Sequence, residues 1–132
     1  MTIQKQEVHV TSTSGEPRGI EVTEETFEPS GLVFAVGGEL DIATAPALRD
    51  RLDAAIKAGK LNLVIDLHGV DFLDSVALAT IVHARKELPD AGKLALAVEP
   101  GSYPMLIFES SGLNKMLDLV ETREQAIALV SA

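Results

Sequence analysis

The sequence predicts an α/β fold with a mostly parallel central sheet, an added N-terminal strand and about four helices. Three observations carry this reading. Short apolar runs of strand length recur along the chain, at Leu32–Val36, Leu61–Leu67, Lys93–Val98 and Leu117–Val120. A segment with helical spacing follows each of them. Strands alternating with helices imply parallel pairing through right-handed crossovers.

Each element has a local reason. Ile20-Glu21-Val22-Thr23 alternates apolar and polar residues, as a half-buried strand does. The cluster Glu28-Pro29-Ser30-Gly31 reads as a turn. Leu32–Val36 is a buried strand ending at Gly37-Gly38. The first helix has Thr44 as a candidate N-cap and Pro46 in its first turn, where a missing N–H costs nothing. Its apolar stripe is Leu48, Leu52, Ala55 and Ile56, and Gly59 closes it as a left-handed cap. The nearly all-apolar Leu61–Leu67 suits a central strand covered on both faces. A second helix is expected from Ser75 to Leu88, stopped by Pro89-Asp90-Ala91-Gly92. The strand at Lys93–Val98 leads through a Pro- and Gly-bearing loop to a short helix at Met105–Ser110, capped by Gly112. After the last strand, Thr122-Arg123-Glu124-Gln125 is a capping box that starts a terminal helix. Val8–Thr11 alternates and is a possible short strand. Residues 1–19 are otherwise read as an arm, and residues 20–132 as the domain.

Composition narrows the function. The 132 residues carry 11 Lys+Arg against 20 Asp+Glu, a net charge of −9, and only 4% aromatic residues. A nucleic-acid platform needs basic charge and stacking rings, so no nucleic-acid partner is expected. There is no cysteine, which removes disulfides, thiolate metal sites and a Cys nucleophile. No apolar run approaches the ~20 residues of a membrane span. The opening Met1–Glu7 lacks the apolar core of a signal peptide, so no membrane and a cytoplasmic location are expected. No phosphate-cradling loop, dinucleotide fingerprint or nucleophile elbow occurs. His9, His68 and His83 lie in three separate segments without metal-ligand spacing. The residues offer no enzyme signature and no metal site, so a non-enzyme is expected.

Chemistry concentrates at Asp71-Phe72-Leu73-Asp74-Ser75. Asp74 and Ser75 stand where a helix presents unpaired N–H groups and the positive end of its dipole. Two readings of Ser75 follow from the residues alone: a plain N-cap, or a hydroxyl placed to accept a phosphate.

A wider set of segments occurs in order: Gly38-Glu39-Leu40-Asp41, Thr44–Leu48, Leu63–Leu67, Val70–Ser75, Ser110–Leu113 and Thr122–Ile127. Together, over about Ile20 to Val130, they resemble the STAS family of bacterial anti-sigma factor antagonists. That resemblance implies a partner-switching regulator of transcription. Such a protein binds an anti-sigma factor that is also a serine kinase. It is phosphorylated on the serine after the motif aspartate, here Ser75, is released, and is reset by a serine phosphatase. Asp41, Thr44, Asp74 and Val76 are the partner-binding candidates, and the ATP belongs to the kinase, so the resemblance implies that this chain needs no cofactor. The family pattern Asp-Ser-[Ser/Thr]-Gly-Leu-Gly reads Asp74-Ser75-Val76-Ala77-Leu78-Ala79 here. One hydroxyl is lost, and two glycines become alanines, each favouring helix by about 1 kcal/mol. A STAS scaffold in a stress-signalling or lipid-transport complex, without phosphorylation, is the alternative.

Overall fold

The structure, a computed structural model, describes residues 4–11 and 19–132. Its elements are β1 (Gln4–Thr11), β2 (Gly19–Phe27), β3 (Gly31–Leu40), α1 (Ala45–Lys57), β4 (Asn62–Leu73), α2 (Ser75–Glu87), β5 (Lys93–Ala97), α3 (Tyr103–Ser111), β6 (Asp118–Val120) and α4 (Arg123–Ser131). A short 3₁₀ turn, Leu113–Lys115, separates α3 from β6. The six strands form one sheet in chain order. β1, β2 and β3 pair antiparallel, while β3 to β6 run parallel. The expected mostly parallel α/β sheet with four helices is therefore the observed fold. Within the stretch read as an arm, Gln4–Thr11 pairs with β2 as a sixth strand. The rest of that stretch, apart from Gly19, lies outside the described residues.

Strand periodicity divides the core in two. Leu32, Phe34 and Val36 of β3, Leu63, Ile65 and Leu67 of β4, and Leu94 and Leu96 of β5 point to one face. There they meet Leu48 and Leu52 of α1, Ile81 of α2 and Phe108 of α3. Alternate residues Val33, Val64, Ala95 and Ala97 point to the other face, against Ala126 and Val130 of α4. A strand buried on both faces has no polar side to spare, which is why Leu61–Leu67 reads as a continuous apolar run.

Two of the parallel strands run further than the sequence suggests, as do β1 and β2. β3 continues past Gly37-Gly38 to Leu40, and β4 continues past His68 to Leu73. Their parallel pairing shifts register between Ala35 and Gly37 and again between Gly38 and Glu39. Gly38 has φ +101°, and a Cβ there would come 2.3 Å from the Gly19 carbonyl oxygen. Gly37-Gly38 thus permits a bulge rather than an end, because glycine alone accepts both that φ and that approach. The extension carries Asp41 and Asp74 to the same sheet edge.

Candidate functional site

The site is built where three parallel strands leave the sheet side by side. β3 feeds the turn 41–44, β4 feeds Asp74–Ser75, and β5 feeds the loop before α3. Such strand ends are where open α/β sheets place their ligands and partners.

Asp74 is the N-cap of α2. Its backbone is extended (φ −117°, ψ −174°), and its Oδ1 accepts from Val76 N at 3.0 Å and Ala77 N at 3.1 Å. Its second oxygen accepts from Ile42 N at 3.2 Å, and its own N–H donates to the Leu40 carbonyl at 3.3 Å. One carboxylate therefore closes a helix and ties down the neighbouring turn. Ser75 is the first residue of α2, exposed, and its hydroxyl makes no hydrogen bond among the described residues. Of the two readings open to the sequence, the plain N-cap is excluded for Ser75: Asp74 takes that place. Val76 is half-buried in the first turn.

Asp41 and Thr44 sit differently from Ser75. They are 7% and 2% exposed. Asp41 Oδ1 accepts from Ala43 N (2.9 Å) and Thr44 N (3.1 Å), an Asx turn that bends the chain into α1. The Thr44 hydroxyl donates to the Glu39 carbonyl at 2.7 Å and accepts from Asp41 N at 2.9 Å. Thr44 precedes α1 as expected, but its hydroxyl caps no helical N–H. It faces back to the strand because Asp41 already occupies the turn amides. Asp41 neighbours Ile42, the residue whose N–H reaches Asp74.

Sequence reasoning passed over Ile42, which stands 71% exposed at the tip of this turn. It also passed over the parallel stack of Phe72 on Tyr103, with centroids 5.6 Å apart and an interplanar angle of 13°. The available signal was an Ile directly after the turn-forming Asp41, outside the apolar stripe of α1.

A second polar cluster lies on the α4 face. Asp66, 7% exposed, accepts from His68 N at 3.0 Å and Arg123 Nε at 2.9 Å, and its Oδ1 is 2.6 Å from His68 Nδ1. Arg123 also meets Glu25 at 3.0 Å. Burial alone would raise the Asp66 pKa. The His68 N–H, the His68 ring and the Arg123 guanidinium outweigh it and hold the carboxyl below its ordinary value. Burial likewise opposes the charged form of Arg123, but hydrogen bonding and charge from Asp66 and Glu25 raise its pKa. Asp66, His68 and Arg123 edge a hollow of about 230 Å³. Among the described residues no group of three or more His, Asp or Glu could hold a metal ion. No helix there is long and apolar enough to cross a membrane.

Known proteins resemble this chain in sequence and in fold. The family model described as STAS domain matches residues 20–126. The anti-sigma-F factor antagonist RsfB of Mycobacterium tuberculosis is 32% identical over 95 residues, covering 72% of this chain and 77% of that protein. An anti-sigma-B factor antagonist of Staphylococcus aureus is 29% identical over 89 residues, 67% of this chain and 82% of that one. The crystal structure of an anti-sigma factor antagonist from Mycobacterium paratuberculosis superposes with a TM-score of 0.81 at 28% identity, covering 89% of this chain and 98% of that chain. These relatives are named for antagonism and not for catalysis, which supports a non-enzyme. With the strand–helix order, the Asp74-capped helix and a family match over most of its length, the chain belongs to the STAS domain family.

Proposed function

We propose that the domain over residues 20–132 is an anti-sigma factor antagonist in the cytoplasm, switching partners through phosphorylation of Ser75. In the unmodified form it binds an anti-sigma factor that is also a serine kinase, and so frees a sigma factor. The kinase transfers the γ-phosphoryl group of its ATP to Ser75 Oγ. The hydroxyl proton leaves to a base on the kinase, and ADP is the leaving group. A serine phosphatase hydrolyses the phosphoester and restores the first state.

One observation carries this reading: the Ser75 hydroxyl is exposed at the start of α2 and is not used as its cap. A hydroxyl held in a cap would have to break a hydrogen bond to react, and among the described residues Ser75 has none to break. Phosphorylation adds a charge of about −1.5 to −2. The amides of Val76 and Ala77 are already engaged by Asp74, so they are poorly placed to absorb that charge. It stays on the surface and acts on the partner. One unit of like charge ~7 Å away, at an effective dielectric of ~20, costs about 2.4 kcal/mol, or roughly fiftyfold in affinity. That is enough to eject a partner without unfolding the domain. Asp41 and Thr44 serve the interface by fixing the turn at Ile42, and Asp74 and Val76 by lying beside the acceptor.

The test is incubation with each purified anti-sigma kinase of the source organism and Mg-ATP, followed by intact-mass measurement. One added phosphoryl group on the wild type and none on Ser75→Ala is the expected result. No addition to the wild type would favour the non-cycling scaffold, with the stiffer helix start at Val76-Ala77 as the physical reason.

A further inference from the structure

The sheet order puts β4 between β3 and β5, so Ser75 leaves the middle strand of three. On the β3 side stands Ile42, and on the β5 side stands Tyr103 at the start of α3. Both are exposed large apolar residues, at 71% and 43%. Neither sits on a loose loop. Ile42 N is held by Asp74 Oδ2, and the next two amides are held by Asp41 Oδ1. Its β-branched side chain has few rotamers to lose. The Tyr103 ring lies flat on Phe72, a half-buried residue three positions before Ser75. Apolar groups fixed in place and left uncovered are pre-organised for a partner, because binding costs them little further ordering.

We infer that Ile42 and the Phe72–Tyr103 stack are the two apolar anchors, one on each side of Ser75, by which this chain grips the anti-sigma factor. This rests on the function proposed above. A kinase active site that reaches Ser75 Oγ must also cover the residues flanking it, so the anchors and the acceptor meet one protein. Its face presents an apolar pocket on either side of the phosphoryl-transfer site. Asp74 is a positioning residue in this arrangement. Its Oδ1 holds the helix start that carries Ser75, and its Oδ2 holds the turn that carries Ile42, so the anchor and the acceptor keep one spacing.

The experiment measures affinity for a panel of the purified anti-sigma factors of the source organism. The proteins compared are wild type, Ile42→Ala, Ile42→Asp, Tyr103→Ala, Ser75→Asp and Met116→Asp. Met116 is equally apolar and 57% exposed, but it precedes β6 and so lies at the opposite edge of the sheet. Each Ile42 variant keeps the wild-type melting temperature, and Tyr103→Ala, which gives up the stack on Phe72, remains fully folded at the assay temperature. Ile42→Asp and Tyr103→Ala each weaken binding by about thirtyfold or more, the size of an interface hot spot, and Ile42→Ala falls between them and the wild type. Met116→Asp binds as the wild type does. If Ser75→Asp is weakened while the Ile42 and Tyr103 variants bind normally, the anchors are overturned and the switch stands. Equal weakening by Met116→Asp would also overturn them. If no factor in the panel binds the wild type, the proposed function itself fails and takes the anchors with it.

Discussion

At the scale of single residues, the division of labour between Asp74 and Ser75 decides what the site can do. An aspartate and a serine at a helix start compete for the same amides, and either makes a good cap. Here the aspartate takes them, and the serine hydroxyl is left outward. Replacing Asp74 by Ala should cost about 0.5–2 kcal/mol of stability, the usual worth of an N-cap. It should also release the Ile42 turn, because the Oδ2 bond is lost with the side chain. Thermal unfolding, read beside amide hydrogen exchange at Ile42, checks both effects. Unchanged exchange at Ile42 would show that the turn does not depend on Asp74. The sequence made Asp74 and Ser75 legible as a pair, because the residue types and the following apolar helix form a local signal. It placed Asp41 near the same surface without showing that the side chain turns inward. That turn depends on contacts with Ala43 and Thr44 that no periodicity encodes. Ile42 escaped notice for a related reason. Its exposure follows from the closed Asx turn, and an isolated Ile in a loop has no pattern of its own.

At the scale of elements, α4 is fixed to the sheet by charge as well as by packing. Arg123, its first residue, reaches Asp66 on β4 and Glu25 on β2. Since the Asp66 pKa is lowered by folding, the ionised carboxylate favours the native state. Its contribution is fully present above the ordinary aspartate value of 3.8 and is lost as pH falls through the lower native value. The raised Arg123 pKa works in the opposite direction. Its share is complete below the ordinary arginine value and disappears only in stronger alkali. Asp66→Asn should therefore cost about 1.5–3 kcal/mol at neutral pH, the worth of hydrogen bonds to charged groups. It should also flatten the decline of stability below pH 3.8. Denaturant unfolding across that range measures both. An acid decline as steep in the variant as in the wild type would assign the loss to other carboxylates. The strands and helices around this cluster were legible from periodicity, caps and breakers. The long reach of β3 and β4 was not, because Gly37-Gly38 carries the same signal whether a strand stops or bulges. The tertiary pairing with β2 and β4 settles it, through the positive φ of Gly38 and its close approach to Gly19.

At the scale of the whole molecule, a buried sheet supports the edge at which the proposed phosphorylation of Ser75 would add charge without changing shape. The parallel strands are covered on both faces, so the interior has no reason to respond when one exposed hydroxyl is modified. The chain is already acidic, at −9, so an added phosphate deepens an existing field rather than neutralising one. Under the proposed function, affinity falls because the phosphate brings a like charge into the interface, while Ile42 and Tyr103 remain where they were. The most direct measurement of this switch compares the anti-sigma factor's affinity for the unmodified domain with its affinity for the domain homogeneously phosphorylated at Ser75. The two forms should melt at the same temperature, and the phosphorylated one should bind about fiftyfold more weakly. Equal affinity of the two forms, each fully folded, would contradict the switch.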